Sequence, residues 1–122
     1  MNAGAVVWVT HIPNRRDAAT GMLVPTVNIS PAAEHGEIRV LLPPDTSFFA
    51  TADLIAQMRV ALRDYNFKRG DTVVALGDPA IILVVGAVLA ERYPAFALLR
   101  WDRHILRYVR VVVNLKEEKG ND

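Results

Sequence analysis

The tightest constraint on folding in this chain is the joint Gly77-Asp78-Pro79, which separates an apolar strand-like run from a long apolar helix-like run. Aspartate is a favoured helix N-cap because its side chain accepts hydrogen bonds from the first free backbone N–H groups. Proline suits the next position because the N–H it lacks would have no helical partner there, and glycine permits the bend before it. The joint therefore predicts a strand over Thr72–Leu76 that leads directly into a helix.

The helix after the joint is predicted from Pro79 to about Tyr93. Its residues Ala80–Ala90 are apolar all round, and a helix without a polar face is buried on several sides or packs against another subunit. Three small residues would let a neighbour approach closely, namely Gly86, Ala87 and Ala90. We therefore expect a homodimer, formed either through this helix or through an exposed edge strand.

An earlier helix is predicted by apolar residues that recur with a period of 3.6 residues. These residues are Leu54, Ile55, Met58, Ala61, Leu62 and Tyr65. Thr51 is the predicted N-cap, Asp53 suits the positive first turn, and Lys68-Arg69-Gly70 is a typical stop signal.

Five further segments are predicted to be strands because they are rich in β-branched and aromatic residues. They are Ala5–Ile12, Thr26–Ile29, Glu37–Leu42, Phe96–Trp101 and Leu106–Leu115. Pro43-Pro44 ends the third of them, since proline has no N–H for the ladder. The polar segment Pro13–Gly21 is predicted to be a turn-like loop, and the last two strands are predicted to form a hairpin around Asp102-Arg103-His104.

The resulting order, β-β-β-α-β-α-β-β, contains a βαβαβ stretch from Glu37 to Trp101. Such a stretch favours an α/β fold: a three-layer sheet with parallel central strands, two helices and antiparallel edge hairpins, joined by right-handed crossovers. We expect residues 1–115 to form a single α/β domain and residues 116–122 to be a frayed, charged tail.

Composition narrows the classes of function. The 14 Lys and Arg residues nearly balance the 13 Asp and Glu residues, so the net charge of +1 gives no general attraction for nucleic acid. The apolar run Ala3–Val9 has no basic residue before it and is predicted to be a strand, not a signal peptide. Ala80–Ala90 is too short to span a bilayer. We therefore expect a soluble, cytoplasmic protein with no membrane partner.

The sequence contains no recognisable set of catalytic, metal-binding or cofactor-binding residues. Cysteine is absent, which excludes thiolate metal sites and cysteine nucleophiles. His11, His35 and His104 are far apart, with no carboxylate at a metal-ligand spacing. The chain also lacks G-x-G-x-x-G, G-x-x-x-x-G-K-[ST] and G-x-S-x-G motifs. We therefore predict no metal and no cofactor, and a non-enzymatic role is the favoured interpretation.

The joint has a second interpretation as a ligand site formed by Gly77 and Asp78. A helix N-terminus at the carboxyl end of a parallel strand is a usual place for anions and for ligands of open α/β sheets. A carboxylate at Asp78 would repel a phosphate, so it would instead accept a hydrogen bond from a ligand hydroxyl or from a partner's arginine. The capping role is favoured, and both interpretations stay open.

The predicted C-terminal hairpin is a candidate protein-binding surface because arginines and large aromatic residues alternate in it. The residues concerned are Arg100, Trp101, Arg103, Arg107 and Tyr108. Arginine, tryptophan and tyrosine are enriched in the energetic centres of protein interfaces. The same composition also fits an ordinary solvated face, and basic residues between aromatics can track a single-stranded nucleic acid.

Arg15 and Arg16, in the polar segment after the first strand, are a second candidate surface for protein binding. Function collects on loops that a rigid scaffold holds, and arginines there can bind carboxylates through two parallel hydrogen bonds. Ordinary surface charge is the favoured alternative for both residues.

The sequence resembles a group of small proteins encoded by tailed bacteriophages. The resemblance spans about Val24 to Leu115, and the residues that carry it are Val27-Asn28-Ile29-Ser30-Pro31, Glu34-His35-Gly36-Glu37, Leu41-Leu42-Pro43-Pro44, Gly77-Asp78-Pro79 and Leu98-Leu99-Arg100-Trp101-Asp102-Arg103. The first 23 residues depart from the expected pattern. The resemblance implies a phage accessory protein that acts in the cytoplasm of the infected host.

Three functional hypotheses follow. The first is a non-enzymatic phage protein that binds a host or phage protein through its surface, and this is the favoured one. The second is a small-ligand or nucleotide-binding domain that uses the crevice at Gly77-Asp78. The third is nucleic-acid binding by the hairpin, which the near-neutral charge disfavours.

Overall fold

The computed structural model describes residues 4–42 and 53–116, and a five-stranded sheet forms its centre. Numbered in chain order, the strands are β1 (Val6–Val9), β2 (Asn14–Arg16), β3 (Leu23–Pro25), β4 (Glu37–Val40), β5 (Thr72–Val74), β6 (Ala95–Asp102) and β7 (Arg107–Asn114). The sheet order is β4-β1-β5-β6-β7, and β2 and β3 form a separate antiparallel hairpin. The strands β4, β1, β5 and β6 run parallel, and β7 is antiparallel to β6.

Both α-helices, α1 (Leu54–Ala61) and α2 (Pro79–Arg92), pack on one face of the sheet. Their buried residues join a cluster with the strand residues on that face: Val6, Trp8, Val73 and Phe96 from the sheet, Met58, Val85 and Leu89 from the helices, and Leu62 from the C-cap of α1. A 3₁₀-helix, Ser30–His35, lies against the opposite face, where Ala32 packs with Val7, Val9, Val74, Leu99 and Tyr108. The predicted α/β fold with parallel central strands and two helices is confirmed.

The central strands β1 and β5 are buried at every residue. A parallel strand covered on both faces carries apolar residues without alternation, which explains why these two segments are continuous apolar runs in the sequence. The strand order reverses direction at β1: the chain first adds β4 on one side and then β5, β6 and β7 on the other. This is the order of a doubly wound sheet, in which ligands bind beyond the carboxyl ends of the strands.

The segment Thr26–Ile29, predicted as a strand, is irregular, and the polar segment before it contains the β2–β3 hairpin. Local side-chain bonds explain both differences. The carboxylate of Asp17 accepts from the Thr20 hydroxyl at 2.9 Å and so closes the hairpin turn. The side chain of Asn28 accepts from the Ser30 N–H, and a side chain that bonds its own backbone in this way competes with a strand ladder.

The first α-helix is shorter than predicted, because it ends at Ala61 and not at the Lys68-Arg69-Gly70 signal. That signal ends a second 3₁₀-helix, Phe67–Arg69, which Asn66 caps by accepting from the backbone N–H groups of residues 68 and 69. Asp53 precedes α1 but makes no side-chain cap. The predicted cap Thr51, the predicted stop Pro43-Pro44 and the tail after Lys116 lie outside the described residues.

The carboxylate of Asp71 is fully buried and joins the amino-terminal ends of β1 and β5. It accepts from the Val6 backbone N–H at 2.9 Å, from the Trp8 indole N–H at 3.0 Å and from the Asn66 N–H at 3.0 Å. The Arg69 guanidinium completes the set with two hydrogen bonds of 2.8 and 2.6 Å. A buried charge is tolerated when it is paired and its lone pairs are filled, and this one meets both conditions.

The hydrogen bonds to Asp71 also set its ionisation. Burial alone would raise the pKa of this carboxyl group, because a low-dielectric site disfavours the charged form. The Arg69 guanidinium, the Trp8 indole and the two backbone N–H groups outweigh that effect and hold the pKa below its ordinary value. Asp71 is therefore ionised in the folded protein at neutral pH.

We expect Asp71→Asn to lower the free energy of unfolding by about 3 kcal/mol, because it removes one partner of a buried ion pair and places N–H donors opposite other donors. Urea denaturation measures the change. The matched control is Glu91→Gln, which breaks the exposed Arg59–Glu91 ion pair and should shift the urea midpoint far less. Equal shifts for the two variants would contradict the structural role of Asp71.

The lowered pKa of Asp71 also predicts a pH dependence. Its contribution to stability is complete above the unfolded-state pKa of about 3.9 and is lost progressively as the pH falls toward the folded-state pKa. The difference in unfolding free energy between the wild type and Asp71→Asn should therefore be constant at and above about pH 5 and shrink by about pH 3. A difference that stays constant over this range would show that Asp71 does not titrate as inferred.

Candidate functional site

A pocket opens at the carboxyl end of the sheet because β5 ends before its neighbour β6. β5 pairs with β6 at two positions only, Val73 with Leu98 and Val74 with Leu99, whereas β6 continues to Asp102. The resulting cavity, the sheet-end pocket, has a volume of about 440 Å³. Its lining residues are Val27, Asn28, Val74, Ala75, Leu76, Leu98, Leu99, Arg100, Trp101, Tyr108 and Val111.

The lining of the sheet-end pocket is mainly apolar and includes two aromatic side chains. Trp101 and Tyr108 are cross-strand partners, and their rings meet edge to face with centroids 5.1 Å apart. Tyr108 is only 6% exposed, and its burial raises the pKa of its hydroxyl group. That hydroxyl has no hydrogen-bond partner within residues 4–42 and 53–116. Trp101 is 42% exposed and presents a large apolar surface beside the pocket.

Two contacts tie the β6–β7 hairpin to the 3₁₀-helix Ser30–His35. The Arg107 guanidinium donates to both carboxylate oxygens of Glu34, at 3.2 and 2.8 Å, and this pair lowers the pKa of Glu34 and raises that of Arg107. His35 Nε2 lies 2.9 Å from the backbone oxygen of Tyr108. Because a carbonyl oxygen only accepts, Nε2 carries the hydrogen. These contacts fix the Tyr108 side of the pocket.

The arginines of the hairpin differ in their surroundings. Arg100 lines the sheet-end pocket and Arg103 lies in the exposed turn after β6, and neither is in an ion pair within the part of the chain that the structure describes. Arg107 is bound to Glu34, and Arg110 lies over the Phe67 ring at 5.6 Å. Arg100 and Arg103 are therefore the hairpin cations available to a partner.

The residues of the joint act as the capping interpretation predicts. Gly77 has a φ of +88°, and a Cβ there would lie 3.0 Å from His11 Nδ1. Asp78 Oδ1 accepts from the Ala80 N–H at 2.7 Å, and Pro79 is the first residue of α2. Neither Gly77 nor Asp78 lines the sheet-end pocket. The structural role of the joint is confirmed, whereas the predicted ligand-binding role of the two residues stays a prediction.

The crevice between the carboxyl ends of β1 and β5 is bridged by Thr10, which is fully buried. Its hydroxyl donates to the Leu76 carbonyl oxygen and accepts from the Leu76 N–H at 2.7 Å. In doubly wound sheets the usual ligand position is this crevice. Because Thr10 and Leu76 bridge it here, the open space lies one strand further along, between the ends of β5 and β6.

Arg15 and Arg16 lie on β2, away from the residues that line the pocket. Arg16 donates to the Gly21 backbone oxygen across the hairpin turn, while Arg15 is exposed. The structure therefore brings Arg100, Trp101 and Tyr108 together but leaves the two N-terminal arginines in a separate element. Their predicted role in protein binding stays a prediction.

Sequence reasoning missed the pocket wall formed by Val27 and Asn28. Both residues belong to a segment that the sequence predicts as a strand. The signal for a turn in this segment is Asn28, which is followed two residues later by Ser30-Pro31. It also missed Asp71, whose only signal was a charged residue immediately before a fully apolar strand. Such a residue is buried only when it is paired.

The described residues that line the pocket include no carboxylate, histidine or serine, and their polar side chains are those of Asn28, Arg100, Trp101 and Tyr108. These side chains can exchange hydrogen bonds with a bound molecule. Over the described ranges, no group of three or more His, Asp or Glu side chains could hold a metal ion. None of the described helices is long and apolar enough to cross a membrane.

The fold and the pocket define a small α/β domain with a doubly wound strand order and an apolar pocket between its strand ends, closed on one side by an aromatic and arginine-bearing hairpin. The chain belongs to the Phage Pam3 gp32-like protein family, whose model matches residues 5–115. The match includes β1 and β2, which lie outside the span of about Val24 to Leu115 over which the chain resembles phage proteins. No curated protein and no solved structure matches the chain.

The capping role of Asp78 can be separated from a ligand-binding role by two substitutions. We expect Asp78→Ala to lower the free energy of unfolding by about 1 kcal/mol, because α2 loses its N-cap. Asp78→Asn should stay close to the wild type, since asparagine caps equally well. Thermal or urea denaturation measures both, and an equal loss in the two variants would mean that the charge of Asp78, not its cap, stabilises the fold.

Proposed function

We propose that this phage-family protein is a non-enzymatic binding protein whose binding surface consists of the sheet-end pocket and the exposed hairpin residues beside it. The observation that carries the proposal is the combination of three side chains in one apolar pocket: the exposed Trp101, Tyr108 and Arg100. Among the residues that the structure describes, the Tyr108 hydroxyl has no hydrogen-bond partner and the Arg100 guanidinium has no ion pair. Tryptophan, tyrosine and arginine are the residues that dominate binding energy in protein interfaces.

The chemistry of the surface defines the partner. An apolar side chain of the partner fills the pocket, and a carboxylate next to it pairs with Arg100 and Arg103. The partner is accordingly a phage or host protein segment in which an apolar residue and an acidic residue are neighbours. Because the chain belongs to a bacteriophage family, we propose that this interaction takes place in the cytoplasm of an infected bacterium.

A small-ligand function is supported less well. The pocket volume lies within the range of ligand sites, about 300 to 1,000 Å³. The crevice at Gly77-Asp78, however, offers a carboxylate that already caps α2. A nucleotide would also need several phosphate-binding groups, and Arg100 is the one cation among the described residues that line the pocket. Nucleic-acid binding is limited in the same way. Arg107 is bound to Glu34 and Arg110 lies over the Phe67 ring, which leaves Arg100 and Arg103 as the hairpin arginines without such a contact in the described chain.

The test is capture of proteins from lysates of infected and uninfected host cells on the immobilised chain, with identification by mass spectrometry. We expect a partner that is retained by the wild type and lost by Trp101→Ser and by the double variant Arg100→Glu with Arg103→Glu. Loss of a central aromatic or arginine anchor typically weakens binding by about 30-fold or more.

The matched controls are Val60→Ser and Arg63→Glu, which change an exposed apolar residue and an exposed arginine on or beside α1. Both controls should retain the partner. The proposal is wrong if no partner is captured from either lysate, if the hairpin variants retain it, or if the controls lose it equally.

A further inference from the structure

β7 is the last strand of the sheet, and its outer edge has no neighbouring strand in the described chain. Two hydrogen bonds identify the residues whose backbone faces outward. The backbone N–H of Leu115 donates to the Pro94 oxygen at 2.8 Å, on the β6 side, whereas the backbone oxygen of Tyr108 accepts from His35, on the outer side. In an antiparallel strand, the backbone N–H and C=O groups of successive residues point alternately to the two neighbours of the strand. The odd-numbered residues of β7 therefore bond β6, and the backbone groups of Arg110, Val112 and Asn114 face outward.

The outer part of β7 is apolar on both faces of the sheet. Val109, Val111 and Leu115 are exposed on the helix side, and Val112 is 45% exposed on the other side. On the helix side, a groove of about 440 Å³ separates β7 from α2. Its outer rim contains Leu83, which is 74% exposed, and its lining also includes Gly86, Ala87, Ala90, Val113 and Leu115.

The path of the chain explains why this groove is open. α2 is the crossover connection between β5 and β6 and covers the sheet there. β7 follows β6 through a short turn, with no helix between the two strands. The sheet therefore gains a fifth strand without gaining a helix to cover it. Apolar surface left in this way is typical of an interaction site.

The two edges of the sheet differ in their protection. β4, at the other edge, is four residues long and carries the Glu37–Arg39 ion pair, which discourages pairing with another strand. β7 is eight residues long, and its second half, Val111–Asn114, carries no charge. An uncharged apolar segment at a sheet edge, such as this second half of β7, is a template for strand addition.

We propose that a second copy of this chain covers the edge, with two β7 strands pairing antiparallel about a two-fold axis at Val112. This pairing places Arg110 of each copy opposite the uncharged Asn114 of the other, whereas parallel pairing would bring like arginines together. The outward N–H and C=O groups of each copy then bond those of its partner.

The second copy also fills the groove beside α2. In the ten-stranded sheet, the valines of the added β7 project on the helix side, next to Val111 and toward Leu83 and Ala87. The assembly closes because each copy pairs through β7, and within the described sheet the β4 edges, with their Glu37–Arg39 ion pairs, stay outermost. The net charge of +1 does not oppose the association of two chains.

The test is the molecular mass of the intact chain in solution, measured by sedimentation equilibrium over a concentration series. We expect twice the 13.5 kDa mass of one chain for the wild type. Val112→Pro removes an outward N–H and no bond to β6, so it should raise the dimer dissociation constant by about 30-fold or more. Val60→Ser, on an exposed face of α1, is the matched control and should leave the dimer unchanged.

A second variant keeps the proposal testable if Val112→Pro affects folding. The chain contains no cysteine, so Val112→Cys introduces a single thiol per chain. Two such residues on the axis lie about 5.5 Å apart between Cα atoms and should form a disulfide on mild oxidation, whereas Val60→Cys should not. A wild type of 13.5 kDa at every concentration, a Val112→Pro dimer as stable as the wild type, or equal cross-linking at both positions would overturn the proposal. Val112, the residue changed in both variants, does not line the sheet-end pocket, so these results are separate from the capture experiment on that pocket.

Discussion

The buried carboxylate of Asp71 is the interaction on which the rest of the structure depends. It binds β1 through Val6 and Trp8, and it binds the turn before β5 through Asn66 and Arg69. These bonds fix the amino-terminal ends of the two central strands, which are the only described strands that are buried along their whole length. A charge this deeply buried is stable only with all of these partners in place, so it also ties the register of β1 and β5 to the turn that precedes β5.

The carboxyl end of the sheet is built differently, and this difference produces the candidate site. The short strand β5 stops while β6 continues, and the β6–β7 hairpin is held to the 3₁₀-helix by Glu34–Arg107 and His35. The strands are thus bonded together through Asp71 at their amino-terminal ends, whereas at their carboxyl ends the unequal lengths of β5 and β6 leave an apolar gap. Binding sites are commonly placed in this way, on the connections of a scaffold whose core is fixed elsewhere.

Much of the fold could be predicted because its signals are local. Gly77-Asp78-Pro79, the buried strand before it and the apolar helix after it follow from capping, backbone freedom and composition within a few residues. The β2–β3 hairpin and the early end of α1 could not be predicted in the same way. There the side chains of Asp17 and Asn66 accept hydrogen bonds from the nearby backbone N–H groups of Ala19 and Lys68, and these bonds compete with the hydrophobic pattern.

By itself the sequence determined the α/β class, the joint at Asp78 and the hairpin in which Arg100 and Trp101 lie, since each depends on neighbours in the chain. Only the tertiary structure decided which of these residues are available. Arg107 meets Glu34 across 73 positions of sequence, whereas Arg100 meets no carboxylate in the described chain. The burial of Asp71, the gap between β5 and β6 and the open edge of β7 are likewise products of strand order. The strand order cannot be predicted from any local sequence pattern, because the packing of the whole sheet decides which distant segments are in contact.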